Sequence, residues 1–212
     1  MISDSEKLDV ENAITKAENK TSAEIVAVIA RASSAYTYVP YLWSAIIALA
    51  VPWPLIYRTW MPVQDIYLIQ VGVFVALTLF LQYPDLRFAL VPQSIKQKRA
   101  HQLAMQQFFA QDIYTTAGHT GVLLFVSVAE RYAEIVVDTG VHQVVPDEEW
   151  KSIVDELTAE IGHGRPAKGL IHAIERIGEH LAAHFPPDAA KENILPNHLV
   201  MLDDDSVPYA RR

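Results

Sequence analysis

The chain has 212 residues, no cysteine and a formal net charge of −8 at neutral pH. The lack of cysteine excludes disulfides, thiolate metal sites and cysteine nucleophiles. The acidic balance argues against a general nucleic-acid-binding protein, which would carry a basic face, so we expect no nucleic-acid partner.

The N-terminal residues predict a helix followed by a buried strand. Ser3 and Glu6 have the spacing of a capping box, and apolar residues recur on one helical face over residues 3–19. Residues 23–30 are apolar and partly β-branched, as in a strand that is buried on both faces. Because residues 1–20 are charged where a secretory signal would be apolar, we expect no signal peptide.

Two long apolar runs follow this strand, at residues 38–57 and 66–83. Neither run contains a charged side chain, and tyrosine and tryptophan cluster at their ends. Each run has about the 20 residues that a helix needs to cross a hydrocarbon core. We therefore expect a transmembrane hairpin, kinked at Pro52 and Pro54, rather than a pair of buried core helices.

Basic residues near the two spans predict the orientation of the hairpin. The connecting turn carries Arg58 alone, whereas six basic residues flank the spans on the other side: Lys20, Arg31, Arg87, Lys96, Lys98 and Arg99. Basic residues favour the cytoplasmic side of a membrane. We therefore expect a multi-pass protein of the cell (inner) membrane, with both termini and the soluble part in the cytoplasm.

The second half of the chain predicts alternating helices and strands. A helix is expected at residues 94–110, and strands at residues 120–128 and 132–138 must form an antiparallel hairpin because three residues join them. Two more helices follow, the first of which begins at Pro146 and ends near Gly162. The tail at residues 187–212 is expected to be extended, apart from a short strand at residues 198–202.

This order predicts an α/β fold: a mixed β-sheet with flanking helices, interrupted by a two-helix transmembrane hairpin. The first two strands should be parallel because a helical crossover separates them. The soluble domain is expected to be split into residues 1–34 and 91–186, with the hairpin at residues 38–83.

Four segments carry a resemblance to a known family: EIVAVIA from Glu24, TGVLLFVSVAERYAEIVVDTGV from Thr120, the helix from Trp150, and GHGRPAKGLIHAIERIGEHLAAHFP from Gly162. They resemble the TPM domain of TLP18.3, Psb32 and MOLO-1, a family of bacterial, plastid and animal membrane-associated proteins. The resemblance implies an α/β sandwich and a range of roles that includes phosphatase activity, divalent-cation binding, photosystem repair and receptor modulation. In these relatives the domain usually lies outside the membrane, whereas here an anchor interrupts it and its flanking charges predict the cytoplasm.

Acidic side chains suggest a candidate cation site at one edge of the sheet. Asp138 and Thr120 should meet there, and Asp147 and Glu148 follow at a helix start. Oxygen ligands without sulfur suit calcium or magnesium. The alternative is that Asp138 satisfies backbone donors in a tight turn before Gly140, and that the other two carboxylates cap a helix.

Other polar patterns suggest structural roles. His172, His180 and His184 share a helix face with Arg176, and a cation is unfavourable within a zinc site, so we interpret this face as solvated. Glu130 and Arg131 are expected to be turn residues or interfacial anchors. No GxSxG elbow or Walker A loop occurs in the sequence.

These observations predict a membrane-anchored module that serves as an interaction, accessory or assembly factor for a complex in the bacterial inner membrane. Its partners would be the lipid bilayer and a membrane protein. A further possibility is a passive assembly factor whose contacts are made by the spans themselves, as suggested by Gln70, Gly72 and Thr78 at helix-packing positions. A divalent-metal-dependent phosphatase is the alternative.

Overall fold

The structure is a computed structural model that describes residues 2–187, Leu195 and residues 197–202. The chain forms two compact units, Met1–Ser34 with Gln97–Arg212, and Ala35–Lys96. In chain order the elements are α1 (Asp4–Glu18), β1 (Glu24–Ala30), α2 (Tyr38–Ala50), α3 (Pro52–Arg58), α4 (Val63–Phe80), α5 (Pro84–Ala89), α6 (Gln93–Ala110), β2 (Gly121–Ser127), β3 (Tyr132–Val137), α7 (Thr139–His142), α8 (Asp147–Gly162), α9 (Pro166–His184) and β4 (Leu199–Leu202).

The first unit is built on a four-stranded sheet of order β3-β2-β1-β4. β1 pairs in parallel with β2 and β4, whereas β2 and β3 form an antiparallel hairpin. In the register Ala27 lies between Leu124 of β2 and Leu199 of β4. The predicted α/β fold with a mixed sheet is confirmed, and the C-terminal tail supplies its fourth strand.

Helices cover both faces of this sheet. On one face Ile25, Ala27 and Ile29 of β1 pack in a core with α1, α8 and α9. On the other face Val26 and Val28 pack against α6. Because both faces are covered, every residue of β1 and β2 is buried, and the two strands read in the sequence as continuous apolar runs.

The segment after β3 differs from the expected tight turn. Thr139–His142 forms one helical turn, α7, which Asp138 caps at its N-terminus. A Cβ atom on Gly140 would lie 2.3 Å from the carbonyl oxygen of Gly118 and 2.6 Å from that of His119. Glycine is required here by the close approach of two backbone segments rather than by a turn conformation.

The second unit contains the two apolar segments. Tyr38–Arg58 and Val63–Phe80 are long and apolar enough to cross a membrane, judged by length and composition. Only 22% and 6% of their apolar windows are buried, so their side chains do not pack as those of core helices would. The first segment is interrupted at Val51, immediately before Pro52, which lacks the N–H that an uninterrupted helix would use.

Candidate functional site

Asp138 is buried at the edge of the sheet where β1 and β2 begin. Its Oδ1 accepts a hydrogen bond from the backbone N–H of Thr139 at 2.6 Å, and its Oδ2 lies 3.1 Å from His119 Nδ1. Thr120, which follows His119 in the chain, is also buried, and its N–H donates to Thr116 Oγ1 at 3.1 Å. Asp138 therefore caps α7 and orients His119. This corresponds to the structural alternative in the sequence analysis, in which Asp138 satisfies backbone donors.

Asp147 and Glu148 begin α8, and both side chains are exposed. Asp147 Oδ1 lies 3.5 Å from His142 Nδ1. Within the described residues, no three histidine, aspartate or glutamate side chains converge to hold a metal ion. Calcium takes about six to eight oxygen ligands. The described residues around Asp138 do not form such a shell.

Two buried carboxylates at this edge were not singled out from the sequence. Glu18 and Glu24 flank the start of β1, and Glu18 Oε1 accepts a hydrogen bond from the N–H of Ile25 at 2.8 Å. Glu18 thus ties the end of α1 to the first residues of the strand. The signal in the sequence was Glu24, an acidic residue directly beside an apolar strand. Burial of a carboxylate there is unfavourable unless it accepts hydrogen bonds.

The opposite edge of the sheet, where β1 and β2 end, holds a buried carboxylate in the β2–β3 turn. Glu130 is 2% exposed, and its two oxygens lie 3.0 and 3.1 Å from the backbone nitrogen of Ser33. Ser127 Oγ donates to Glu130 Oε2 and lies 2.9 Å from Ser33 Oγ. Glu130 is a turn residue, as expected, and it fastens the segment that follows β1 to the turn.

A cavity of about 350 Å³ opens at this same edge of the sheet. The described residues that line it are Ile2, Ile29, Arg31, Val128, Pro166 and Met201. Ile29 belongs to the sheet face that packs on α1, α8 and α9, and Met201 lies two residues after Leu199 of the same face. The cavity therefore continues that core layer beyond the ends of the strands.

The two crossover connections lie on opposite faces of the sheet. β1 leads to β2 through α6 on one face, and β3 leads to β4 through α8 and α9 on the other face. The cavity was not expected from the sequence, where Arg31 contributes only to the predicted orientation.

The backbone of Arg31 is held on both sides at the mouth of the cavity. Its N–H donates to the carbonyl oxygen of Leu202 at 3.1 Å, and its own carbonyl oxygen accepts from the N–H of Ala129 at 3.0 Å. Arg31 is thus fixed between the end of β4 and the turn after β2. The signal in the sequence was the arginine two residues after Ile29, in phase with the buried face of the strand.

Two polar clusters join helices to their neighbours. Between α8 and α9, Glu156 lies 3.3 Å from His172 and 2.6 Å from Arg176, while His180 lies 2.6 Å from Glu149. The hydrogen bond from Arg176 lowers the pKa of Glu156, and the positive charge of Arg176 adds to the effect. The two histidines meet different carboxylates on a partly exposed surface, in line with our interpretation of a solvated polar face.

The second cluster links α6 to β3. His101 Nδ1 lies 2.9 and 3.0 Å from the two oxygens of Glu134, and the Tyr132 hydroxyl donates to Glu134 Oε2 at 3.0 Å. Burial, followed by the charge of Glu134 and this hydrogen bond, raises the pKa of Tyr132. In the tautomer with its proton on Nδ1, His101 donates to Glu134.

The second unit has a groove of about 300 Å³ between α2 and α4, lined by Ala45, Ala48, Leu49, Tyr67, Gln70, Val71 and Phe74. Of the three span residues singled out from the sequence, Gln70 lies in this groove. Gly72 has open space where a Cβ atom would lie, and Thr78 is 9% exposed. Gln70 and Gly72 are therefore accessible to another molecule, whereas Thr78 is buried.

Comparisons with known proteins found a family model and a solved structure to which this chain is similar. The sequence model of the TPM domain matches residues 83–180. The NMR structure of the BA42 protein from the psychrophilic bacterium Bizionia argentinensis is similar, with a TM-score of 0.59 and 19% sequence identity over 95% of each chain. At this level of identity the similarity concerns the fold alone. No match was found among curated proteins.

Proposed function

We propose that this chain, of which residues 83–180 match the model of the TPM domain, is a membrane-anchored accessory module of a membrane-protein complex. In this proposal Tyr38–Arg58 and Val63–Phe80 span the cell membrane as a hairpin. The α/β domain lies in the cytoplasm, because the basic residues flank the spans on the side of the termini. A reporter that is active only in the cytoplasm tests this orientation: we expect activity when it follows Arg212 and none when it is inserted between Thr59 and Met61.

The amide of Gln70 is the observation that carries the proposal. It lies in the groove between α2 and α4, and within the described residues its side chain forms no hydrogen bond. In hydrocarbon, an amide without a partner is costly, because no water is present to satisfy it. A transmembrane helix of a partner, packed in the groove with a polar group facing Gln70, would remove this cost.

Affinity purification from native membranes tests this contact. We expect Gln70→Leu to recover about tenfold less of the membrane proteins that are purified with the wild-type chain. The reason is that hydrogen bonds between membrane helices contribute about 1–2 kcal/mol. Gln64→Leu is the matched control, because Gln64 lies on the same helix but outside the groove. Equal recovery with wild type and Gln70→Leu would contradict a partner in the groove.

The phosphatase alternative finds less support in the described residues. Ser127 has a carboxylate neighbour, Glu130, as an activated serine nucleophile would. However, both side chains are buried, and Glu130 is also bonded to the backbone of Ser33. Turnover of p-nitrophenyl phosphate by the purified full-length chain, abolished in Asp138→Ala, would favour the phosphatase over the accessory role.

A further inference from the structure

We propose that the groove between α2 and α4 holds α4 of a second copy of this chain, with the two Gln70 side chains hydrogen-bonded to each other. The inference deepens the proposed function and rests on it, because it takes Tyr38–Arg58 and Val63–Phe80 as membrane spans. It is based on the depth of Gln70 in its span, on the spacing of the residues that line the groove, and on the hydrogen-bonding capacity of an amide.

Gln70 lies deep within its span. Along α4 it is seven residues from Val63 and ten residues from Phe80, which correspond to about 10 Å and about 15 Å at the rise of an α-helix. Between Ile66 and Phe80 it is the only residue with an amide side chain. At this depth the amide is surrounded by hydrocarbon, so a hydrogen-bonding partner for it has to come from protein.

The α4 residues that line the groove are spaced as in a seam between packed helices: Tyr67, Gln70, Val71 and Phe74. They stand at positions i, i+3, i+4 and i+7 and therefore form one stripe along the helix. Two helices pack side by side along such a stripe, and a single polar residue within it fixes their register. From α2, Ala45 and Ala48 add only small side chains to the groove, so a further helix can approach closely.

A second copy supplies a matching group at the right depth. All copies insert in the same orientation, so their Gln70 side chains lie at one depth and their α4 helices run parallel. An amide carries both a donor and an acceptor, so two Gln70 side chains related by a two-fold axis along the membrane normal can each donate to the other. A carboxylate, which only accepts, or an ammonium group, which only donates, could not pair with its own copy in this way.

Cysteine cross-linking of the full-length chain in native membranes tests the proposal, and the chain suits this method because it has no cysteine of its own. Val71→Cys and Phe74→Cys, both in the groove, should form disulfide-linked dimers when copper phenanthroline is added as the oxidant. Ile69→Cys is the matched control and should remain monomeric. Its side chain is 36% exposed against 42% for Val71 and lies at nearly the same depth, but outside the groove.

Substitutions at Gln70 test the amide itself. In the Val71→Cys background, Gln70→Leu should reduce the dimer about tenfold, because it removes the hydrogen bonds between the two helices. Gln70→Asn keeps an amide and should retain most of the dimer. Gln64→Leu lies on the same helix outside the groove and should leave the dimer unchanged. Resistance to extraction by alkaline carbonate shows that each variant is inserted in the membrane.

Co-expression of two differently tagged copies shows whether Gln70 pairs with itself. A copy with Gln70 and a copy with Gln70→Leu should cross-link as weakly as two Gln70→Leu copies, because each hydrogen bond needs an amide on both sides. If Gln70 paired with a different group of the second copy, the mixed pair would keep one of its two contacts. Cross-linking of the mixed pair at an intermediate level would therefore contradict the proposal.

Three further outcomes would overturn the proposal: no dimer in either Val71→Cys or Phe74→Cys, as much dimer in Ile69→Cys, or dimer that survives in Gln70→Leu. The accessory role can fail separately. If another membrane protein is recovered through Gln70 and the copies do not cross-link, that protein occupies the groove and the accessory role stands. If the copies cross-link and no other membrane protein is recovered, the dimer stands and the accessory role fails.

Discussion

Tyr132 shows how the fold changes the chemistry of a single side chain. Its hydroxyl donates to the Glu134 carboxylate at 3.0 Å, and burial and the nearby negative charge together raise its pKa. The folded state therefore keeps this proton at a pH at which an unfolded tyrosine, whose ordinary pKa is 10.0, has lost it. The stability that this proton contributes is present below that value and is lost as the pH rises above it.

Substitution of Tyr132 by phenylalanine tests this linkage. We expect the unfolding midpoint in urea to fall less steeply with pH in Tyr132→Phe than in wild type between about pH 9 and pH 11. Tyr114→Phe is the control, because the Tyr114 side chain is 45% exposed. The comparison uses the slope of the unfolding midpoint against pH. A loss of stability that is the same at every pH, such as the loss of the hydroxyl group itself, does not change this slope. Parallel slopes in wild type and Tyr132→Phe would contradict the predicted coupling.

At the scale of residues, local partners could be predicted from the sequence and distant ones could not. Ser3 and Glu6 form the expected capping box, with Ser3 N–H donating to Glu6 Oε2 at 2.8 Å, because both partners lie within one turn. The contact between Glu130 and Ser33 joins residues that are 97 positions apart. No rule of sequence spacing predicts a contact over such a distance. From the sequence, the buried carboxylate of Glu130 therefore cannot be distinguished from an exposed polar residue in a turn.

At the scale of elements, Gly178 determines how closely α1 and α9 approach. A Cβ atom at this position would lie 2.7 Å from the Cβ atom and 3.1 Å from the Cα atom of Ala17. Ala17 is 4% exposed, and Ile174 and Ile177 on the same helix as Gly178 are fully buried. Glycine in a helix interior costs about 1 kcal/mol relative to alanine. Here the closer packing of the two helices offsets that cost.

A double-mutant cycle on this contact gives a measurable outcome. Gly178→Ala should lower the free energy of unfolding by about 1–3 kcal/mol, because overpacking outweighs the gain in helix propensity. Adding Ala17→Gly should restore part of the loss, with a coupling of at least about 0.5 kcal/mol in urea unfolding of the full-length chain.

Gly162→Ala is the control for helix propensity. Gly162 is the last residue of α8 and has nothing within 4 Å of its Cβ position. We expect this variant to be neutral or slightly stabilised. A stabilised Gly178→Ala, or a double variant whose effects simply add, would show that the helices do not meet as the structure describes.

The order of helices and strands could be predicted because each depends on local periodicity and on its caps. Pro166 at the start of α9 and the acidic first turn of α8 are signals of this kind. The pairing of β4 with β1 was not available from the sequence, since its four residues carry little pattern. The cavity depends on that pairing, because Met201 of β4 forms part of its wall. A cavity lined by strand ends from distant parts of the chain could therefore be recognised only from the structure.

At the scale of the whole molecule, β1 lies inside the sheet and joins the N-terminal part of the chain to the C-terminal part. β1 pairs with β2 on one side and β4 on the other, although residues 35–96 of the other unit separate it from β2 in sequence. The apolar core on one face combines residues of α1 and β1 with residues of α8 and α9. We therefore propose that a single domain is split by the hairpin, and that its N-terminal part cannot be removed without exposing the sheet.

Two deletions test this split domain. Replacing residues 35–90 by a flexible linker should leave a soluble protein that unfolds cooperatively, because closing even a long flexible loop costs only a few kcal/mol.

Deleting residues 1–31 removes β1 from the centre of the sheet, uncovers the edges of β2 and β4, and takes Ile25 and Ile29 out of the core. This second variant should aggregate, since an uncovered apolar strand edge pairs with other chains. A fragment that begins at Ser94 and folds stably alone, judged by cooperative unfolding and a monomeric mass, would show that β1 is dispensable and that the domain is not split.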